Sequence, residues 1–167
     1  MNKAKTNKSI DPRTSIGHVH LKVADLKRSV KFYTEILGFE VMTRMGNSAA
    51  FLSAGGYHHH IGLNTWKSAN GKPAPEGSTG LYHFAILVPD RKELAKVFKR
   101  LMEQNYPIEG ASDHGVSEGI YLRDPDSNGI EIYADRPRSK WKYDSKGNLI
   151  MYTNRLDIDD LMKELEK

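Results

Sequence analysis

From Ser15 to Val23 apolar and polar residues alternate, with Val19, Leu21 and Val23 on one face and His18, His20 and Lys22 on the other. That two-residue period predicts a strand. Asp25 is a good N-cap, and Leu26, Val30, Tyr33 and Leu37 follow at helical spacing until Gly38 stops the helix. Phe39 to Arg44 and Ser48 to Ser53 predict two further strands, with Ala54-Gly55-Gly56 turning the chain. Tyr57 to Thr65 predicts the last strand of this half and carries His58, His59 and His60. Residues 67–80, rich in Gly, Pro, Ser, Asn and Lys, read as a linker loop.

The pattern then repeats. Leu81 to Val88 predicts a strand with Phe84, Ile86 and Val88 on one face and His83 on the other. Asp90 caps a helix, with Glu93 placed for a capping box and Leu94, Val97, Phe98 and Leu101 as its apolar stripe. Pro107 to Gly110 is expected to be a short strand or turn, and Ala111 to Glu118 a loop. Gly119 to Tyr133 reads as two strands joined by a tight turn from Asp124 to Gly129. Ile120, Leu122, Ile130 and Ile132 share one face; Tyr121, Arg123, Glu131 and Tyr133 share the other.

A shift of 65 residues lays His18 on His83, Leu21 on Ile86 and Asp25 on Asp90. Nearer the end the offset grows to 70, which lays Phe51-Leu52 on Tyr121-Leu122, and after a one-residue adjustment Ile61-Gly62-Leu63 falls on Ile130-Glu131-Ile132. The expected fold class is therefore α+β. Two βαβββ units of about 55 residues, 14–66 and 80–135, form a curved half-barrel around a shared pocket. Residues 1–13 are expected to be disordered. Residues 136–167 read as an extension for packing or dimer contacts, ending in a helix capped by Asp157 and carrying Leu161 and Leu165.

Composition narrows the chemistry. At 167 residues and a net charge of +4, the chain is mildly basic, and several positive residues lie in its two tails. No dense Lys/Arg stripe with aromatics points to nucleic acid. No apolar run is long enough to span a bilayer, and Met1 to Arg13 lacks the apolar core of a signal peptide. A cytoplasmic location is expected. The absence of cysteine excludes disulfides, thiolate metal sites and cysteine nucleophiles.

The polar face collects His18, His20, His58, His60, His83, Tyr121 and Glu131, with His59 placed on the helix side or at an edge. A lone Glu among apolar strand residues is costly to bury without a partner. Imidazoles and a carboxylate converging in a pocket suit a divalent metal, and two His with one carboxylate is the donor set of non-haem Fe(II) sites. Each residue taken alone also has an ordinary reading. A single strand His is more often a hydrogen-bonded core residue, the His58–His60 run a surface cluster, and Glu131 a partner of Lys22 or Arg123.

His18-Val19-His20-Leu21-Lys22-Val23-Ala24-Asp25-Leu26, then Phe32-Tyr33 and Leu37-Gly38-Phe39, resembles the first unit of the vicinal-oxygen-chelate superfamily. That superfamily contains glyoxalase I, bleomycin- and fosfomycin-resistance proteins and extradiol catechol dioxygenases. Asp124-Pro125-Asp126-Ser127-Asn128-Gly129-Ile130-Glu131 resembles its closing motif. The resemblance covers residues 14–135 and implies paired βαβββ units with metal ligands at His18, His83 and Glu131. Glyoxalase I carries a further metal-binding carboxylate where this chain has Gly62, which counts against that activity. His60 (or, less favourably, His59), Tyr121 and His114 match the catalytic places of extradiol dioxygenases, and His114 to Tyr121 resembles their catechol 2,3-dioxygenase motif in a shorter loop. Typical members carry an extra pair of units, so the pattern is closest to short, single-domain catechol-2,3-dioxygenase-like proteins. It implies Fe(II), with Mn(II) or another divalent ion as alternatives, a catechol-like aromatic substrate, O2 and a homodimer. Phe51 and Trp66 are expected in an apolar wall for the ring. A glyoxalase-like or other metal-dependent reaction, or a non-enzymatic small-molecule pocket, are the competing readings.

Overall fold

The structure, a computed structural model, describes residues 9–167. Most of the expected N-terminal tail thus lies outside the described residues. Strand β1 (Val19–Lys22) pairs in parallel with β4 (Ile61–Asn64), which is followed by β3 (Ala49–Ser53) and β2 (Glu40–Met45), both antiparallel. The second sheet runs β5 (Phe84–Leu87), β8 (Gly129–Asp135), β7 (Ser117–Arg123) and β6 (Gly110–Asp113), with β9 (Asn154–Arg155) from the C-terminal segment added at the edge. The α+β architecture of two repeated sheets is as the hydrophobic pattern predicts. The registers also repeat: Val19 pairs with Ile61 as Phe84 pairs with Ile130.

Several strands are shorter than the alternation predicts. The last strand of the first half begins at Ile61, so His58 and His59 occupy a loop and His60 leads into the strand. Two consecutive glycines with positive φ, Gly55 and Gly56, throw the chain out of the sheet before it. His18 and His83 likewise each stand one residue ahead of a strand. Conversely, the expected loop from Ala111 to Glu118 is mostly sheet. Gly110–Asp113 pairs with β7 on one side and with β9 on the other. Its small and polar residues lack an apolar period, so its strand state comes from the ladder alone.

Each sheet lays its aliphatic face under a helix. Helix α1 (Leu26–Lys31) is capped by Asp25 and runs into a π-helical turn, Phe32–Ile36. Helix α2 (Arg91–Glu103) is capped by Asp90 and buries Leu94, Ala95 and Leu101. Val23, Leu52, Leu63, Leu94, Ile120, Leu122 and Ile130 belong to one continuous core spanning both units. Each such side chain contributes roughly 1.5–3 kcal/mol. In the C-terminal segment, Asp157 caps α3 (Ile158–Met162), which buries Leu161; a final 3₁₀ turn, Lys163–Glu166, carries Leu165 against the same core. Arg91 ties this segment down through Glu118, Asp160 and Glu164 at 2.6, 2.8 and 2.9 Å. Residues 149–152 make a single bridge, Tyr143 to Leu149, and the short strand of this segment follows at β9. Among the described residues no helix is long and apolar enough to cross a membrane.

The β7–β8 turn reaches across to the first unit. Asp126 accepts hydrogen bonds from the Ala24 amide at 3.0 Å, Ser29 Oγ at 3.0 Å and Arg28 Nη2 at 2.6 Å. Asp124 accepts from the buried Tyr33 hydroxyl at 2.9 Å and from two amides of its own turn. Asp144 repeats the same turn pattern with Lys146 and Asn148, but on the surface. Removing Asp124 strands buried donors. Asp124→Ala is therefore expected to cost about 3 kcal/mol in chemical denaturation, whereas Asp144→Ala produces a much smaller loss. Equal losses would show that burial between the units adds nothing.

Candidate functional site

Glu131 lies in the middle of β8, opposite Tyr121 of β7 and beside Ala85 of β5. Alternation sends Ile130 and Ile132 into the core and Glu131 to the other face with Tyr121. Gly129 lets the chain before β5 come close: a Cβ there would collide with the Tyr82 carbonyl and approach His83 Cβ to 3.0 Å. That approach brings His83 Nε2 to 3.2 Å from Glu131 Oε2. Tyr121 Oη donates to the other carboxylate oxygen, Oε1, at 2.9 Å. His114 Nε2 lies 2.6 Å from the same hydroxyl.

Four side chains thus form one hydrogen-bonded line, His83–Glu131–Tyr121–His114. Tyr121 has one proton and two partners able to accept it. With Glu131 ionised and His114 Nε2 bare they compete for that proton; with Nε2 protonated the ring donates to the hydroxyl and both bonds are made at once. Burial pushes the Tyr121 phenol well above its ordinary value, and the Glu131 carboxylate adds to the effect through its hydrogen bond and charge. Tyr121 therefore remains a neutral donor across the physiological range.

The first unit supplies a different group. The His18 ring stands 4.3 Å from that of His59, which also packs on Phe51 at 5.1 Å and approaches His58, Nδ1 to Nδ1, at 2.7 Å. His59 therefore faces His18 and Phe51 rather than the helix side. It sits in a loop, where strand alternation does not apply. His60 Nδ1 accepts from the Ala54 amide at 3.3 Å and meets Ser53 Oγ at 3.0 Å. A neutral His60 accordingly carries its proton on Nε2. His20 lies over Gly62, where a Cβ would come within 2.9 Å of its ring. This contact was not anticipated, though the parallel pairing of His20 with Gly62, large beside small, is its signature.

A cavity of about 730 Å³ lies between the units, within the size range of small-molecule sites. His18, His60 and His83 line it together with Val19, Phe84 and Ile86. A smaller one of about 220 Å³ is lined by His83, Tyr121, Tyr82 and Arg123. Phe51 and Trp66 are not in the wall of the larger cavity; both pack against His20. Of the three expected ligands, His83 and Glu131 meet, while His18 is engaged with His59 elsewhere on the cavity wall. Among the described residues no group of three His, Cys, Asp or Glu is arranged to hold a metal ion. The physical reason lies in the topology: the two sheets share no ladder, and the cavity separates β1 from β5.

The family model of the Glyoxalase/Bleomycin resistance protein/Dioxygenase superfamily matches residues 15–132. The chain belongs to this superfamily. It is 45% identical over 157 residues to a catechol-2,3-dioxygenase of Bacillus subtilis (strain 168), covering 93% of this chain and 54% of that protein. The chain thus spans about half the length of that relative. It is 28% identical to metallothiol transferase FosB of Staphylococcus epidermidis (strain ATCC 12228 / FDA PCI 1200) over 78% of this chain and 88% of that one. A glyoxalase/dioxygenase from Nostoc punctiforme superposes with a TM-score of 0.63 at 22% identity, over 78% of this chain and 99% of that one, which shows the shared fold.

The raised Tyr121 value can be checked directly. In a spectrophotometric titration, wild type minus Tyr121→Phe is expected to show no phenolate absorbance below pH 10. Stability linked to this phenol is full below the unfolded value near 10 and falls as pH rises towards its higher folded value. A difference band below pH 10 would mean that burial and Glu131 do not hold this proton.

Proposed function

We propose that this chain is a metal-dependent extradiol-type dioxygenase that opens a catechol-like ring with O2. The observation that carries the reading is the continuous line His83–Glu131–Tyr121–His114, beside a cavity whose first-unit wall presents His18 and His60. The similarity to the Bacillus catechol-2,3-dioxygenase supports the same reaction.

The donor set fits a divalent ion in kind: two imidazoles and a carboxylate, with no thiolate. His83 and Glu131 would hold it with His18 as the third ligand, and Fe(II) is the first candidate, with Mn(II) the alternative. Bound there, the ion would lower the pKa of the catechol hydroxyls and bring the two reactants together. Tyr121, kept neutral, donates a hydrogen bond to a substrate oxygen. His60, with its proton on Nε2, acts as the acid and then the base on the cavity side. His114 exchanges a proton with Tyr121. Val19, Phe84 and Ile86 give the ring an apolar wall. Exposed Leu81, Tyr82 and Leu87 beside the cavity support a homodimer, and the cysteine-free chain supports a cytoplasmic location.

A second reading is metal-dependent thiol transfer, because the chain covers far more of FosB than of the dioxygenase. A glyoxalase-type reaction is less favoured. Its extra carboxylate would stand at Gly62, which bears no side chain and lies against the His20 ring.

The test is anaerobic purification with iron loading, then oxygen uptake and formation of the yellow ring-fission product from catechol. Iron binding without oxygen uptake, together with consumption of a thiol, would favour the second reading. Equal iron content in wild type and in Glu131→Gln would remove the metal site from both. His60→Ala is expected to retain iron, measured by mass spectrometry, and to lose roughly 10²–10⁴ in kcat. A full rate in that variant would take His60 out of the mechanism.

A further inference from the structure

His114 is held from behind by a part of the chain outside the matched family region. Its Nδ1 lies 2.9 Å from the backbone carbonyl oxygen of Tyr152 and 3.4 Å from Thr153 Oγ1. A carbonyl oxygen only accepts, so Nδ1 must carry a proton to make the shorter bond. A neutral His114 then has a bare lone pair on Nε2, the atom facing the Tyr121 hydroxyl at 2.6 Å. The Tyr152 carbonyl thereby selects the tautomer whose Nε2 can accept a hydrogen bond from Tyr121.

Four further contacts keep that carbonyl in place. The Tyr152 amide reaches back to the His114 carbonyl at 3.4 Å. Beyond it, β9 pairs with β6, matching Asp113 with Asn154 and Ser112 with Arg155, and the Leu156 amide donates to the Ala111 carbonyl at 3.2 Å. The Tyr152 ring lies over Gly115, the residue after His114. Gly115 has φ +79°, and a Cβ there would sit 2.7 Å from Tyr152 Cε1. The ring therefore rests on a surface that only glycine provides.

We propose that segment 149–156 is a positioning strap that fixes His114 in its Nδ1–H tautomer, with Tyr152 as the positioning residue and Nε2 directed at Tyr121. The Nδ1 proton follows from the contact with the Tyr152 carbonyl and the bare Nε2 from the neutral ring; the consequence for turnover rests on the dioxygenase reading. Two outcomes are thus separable. Histidine outside such a contact favours the Nε2–H form, so an unconstrained His114 would show the opposite pattern.

The test uses the full chain, labelled with ¹⁵N at histidine and treated with a chelator, with His114 assigned by difference against His114→Gln. Proton–nitrogen correlation is expected to show Nδ1 protonated and Nε2 bare in the wild type. Tyr152→Ala and Gly115→Ala are expected to move His114 towards the Nε2–H form, while Tyr152→Phe, which keeps the ring over Gly115, retains the wild-type pattern. A wild type in the Nε2–H form overturns the proposal, as does an unchanged tautomer in both Tyr152→Ala and Gly115→Ala. With the iron-loaded protein and catechol, Tyr152→Ala is expected to lower kcat at least tenfold with KM within twofold, and Tyr152→Phe to restore it. If wild type shows the Nδ1–H form but no oxygen uptake, the strap stands and the dioxygenase reading fails.

Discussion

Two carboxylates at one hairpin turn hold the two halves of this molecule in relation. No ladder joins the sheets, so their mutual placement depends on side chains and on the shared apolar core. Asp126 satisfies an amide and a hydroxyl at the start of α1 and meets the Arg28 guanidinium; Asp124 receives the Tyr33 hydroxyl deep between the units. Hydrogen bonds to charged groups that are shielded from water are among the stronger ones available. The same hairpin carries Tyr121 on one strand and Glu131 on the other, directly opposed. The contact that locks the units together therefore also sets where the site's carboxylate stands relative to the first unit.

The repeat explains why the second unit alone has that carboxylate. In each unit the first and last strands pair in parallel, and one matched pair faces the concave side. In the second unit it is Ala85 beside Glu131; in the first it is His20 beside Gly62. Each pair combines one large polar residue with one small one, in opposite order. The neighbouring strands carry an aromatic at the matching place in both units, Phe51 facing Gly62 and Tyr121 facing Glu131. An added side chain at Gly62 would meet the His20 ring where it stands, so a carboxylate there requires that ring to move. The functional asymmetry of the halves is thus a matter of which strand of each pair bears the bulk.

The strands and both major helices were legible because period-2 and period-3.6 patterns coincide with burial: Leu21, Val23, Ile120, Leu122, Ile130 and Ile132 are all buried as alternation predicts. The repeat laid Phe51 on Tyr121 and Gly62 on Glu131, and the ladders oppose Phe51 to Gly62 as they oppose Tyr121 to Glu131. What was not legible lies just outside the strands. His18, His58, His59 and His83 lie on loops or one residue ahead of a ladder, where side-chain direction depends on turn geometry and ring packing. His59 accordingly turned to His18, and β6 proved to be a strand although Gly110-Ala111-Ser112-Asp113 has no apolar period. The role of Tyr152 left no trace in the local pattern, since the group that matters is a backbone carbonyl.

This division also separates the rigid from the adaptable part of the site. Glu131 and Tyr121 stand on adjacent central strands, and both oxygens of the carboxylate are occupied, one by His83 and one by Tyr121. Partners of this kind restrict the orientation of a ligand before anything binds. The first unit presents imidazoles from residues 58–60 and from the approach to β1: His18, His58 and His59 lean on one another and on Phe51, and His60 on Ser53 and Ala54. In the proposed reaction, the second unit provides a fixed donor and proton line. The first unit provides the third ligand, His18, and the acid, His60, which must accommodate the substrate. Differences in substrate among proteins with this fold would then be expected to arise first in the loop that carries His58 to His60, where a change of ring position leaves the carboxylate and its partners undisturbed.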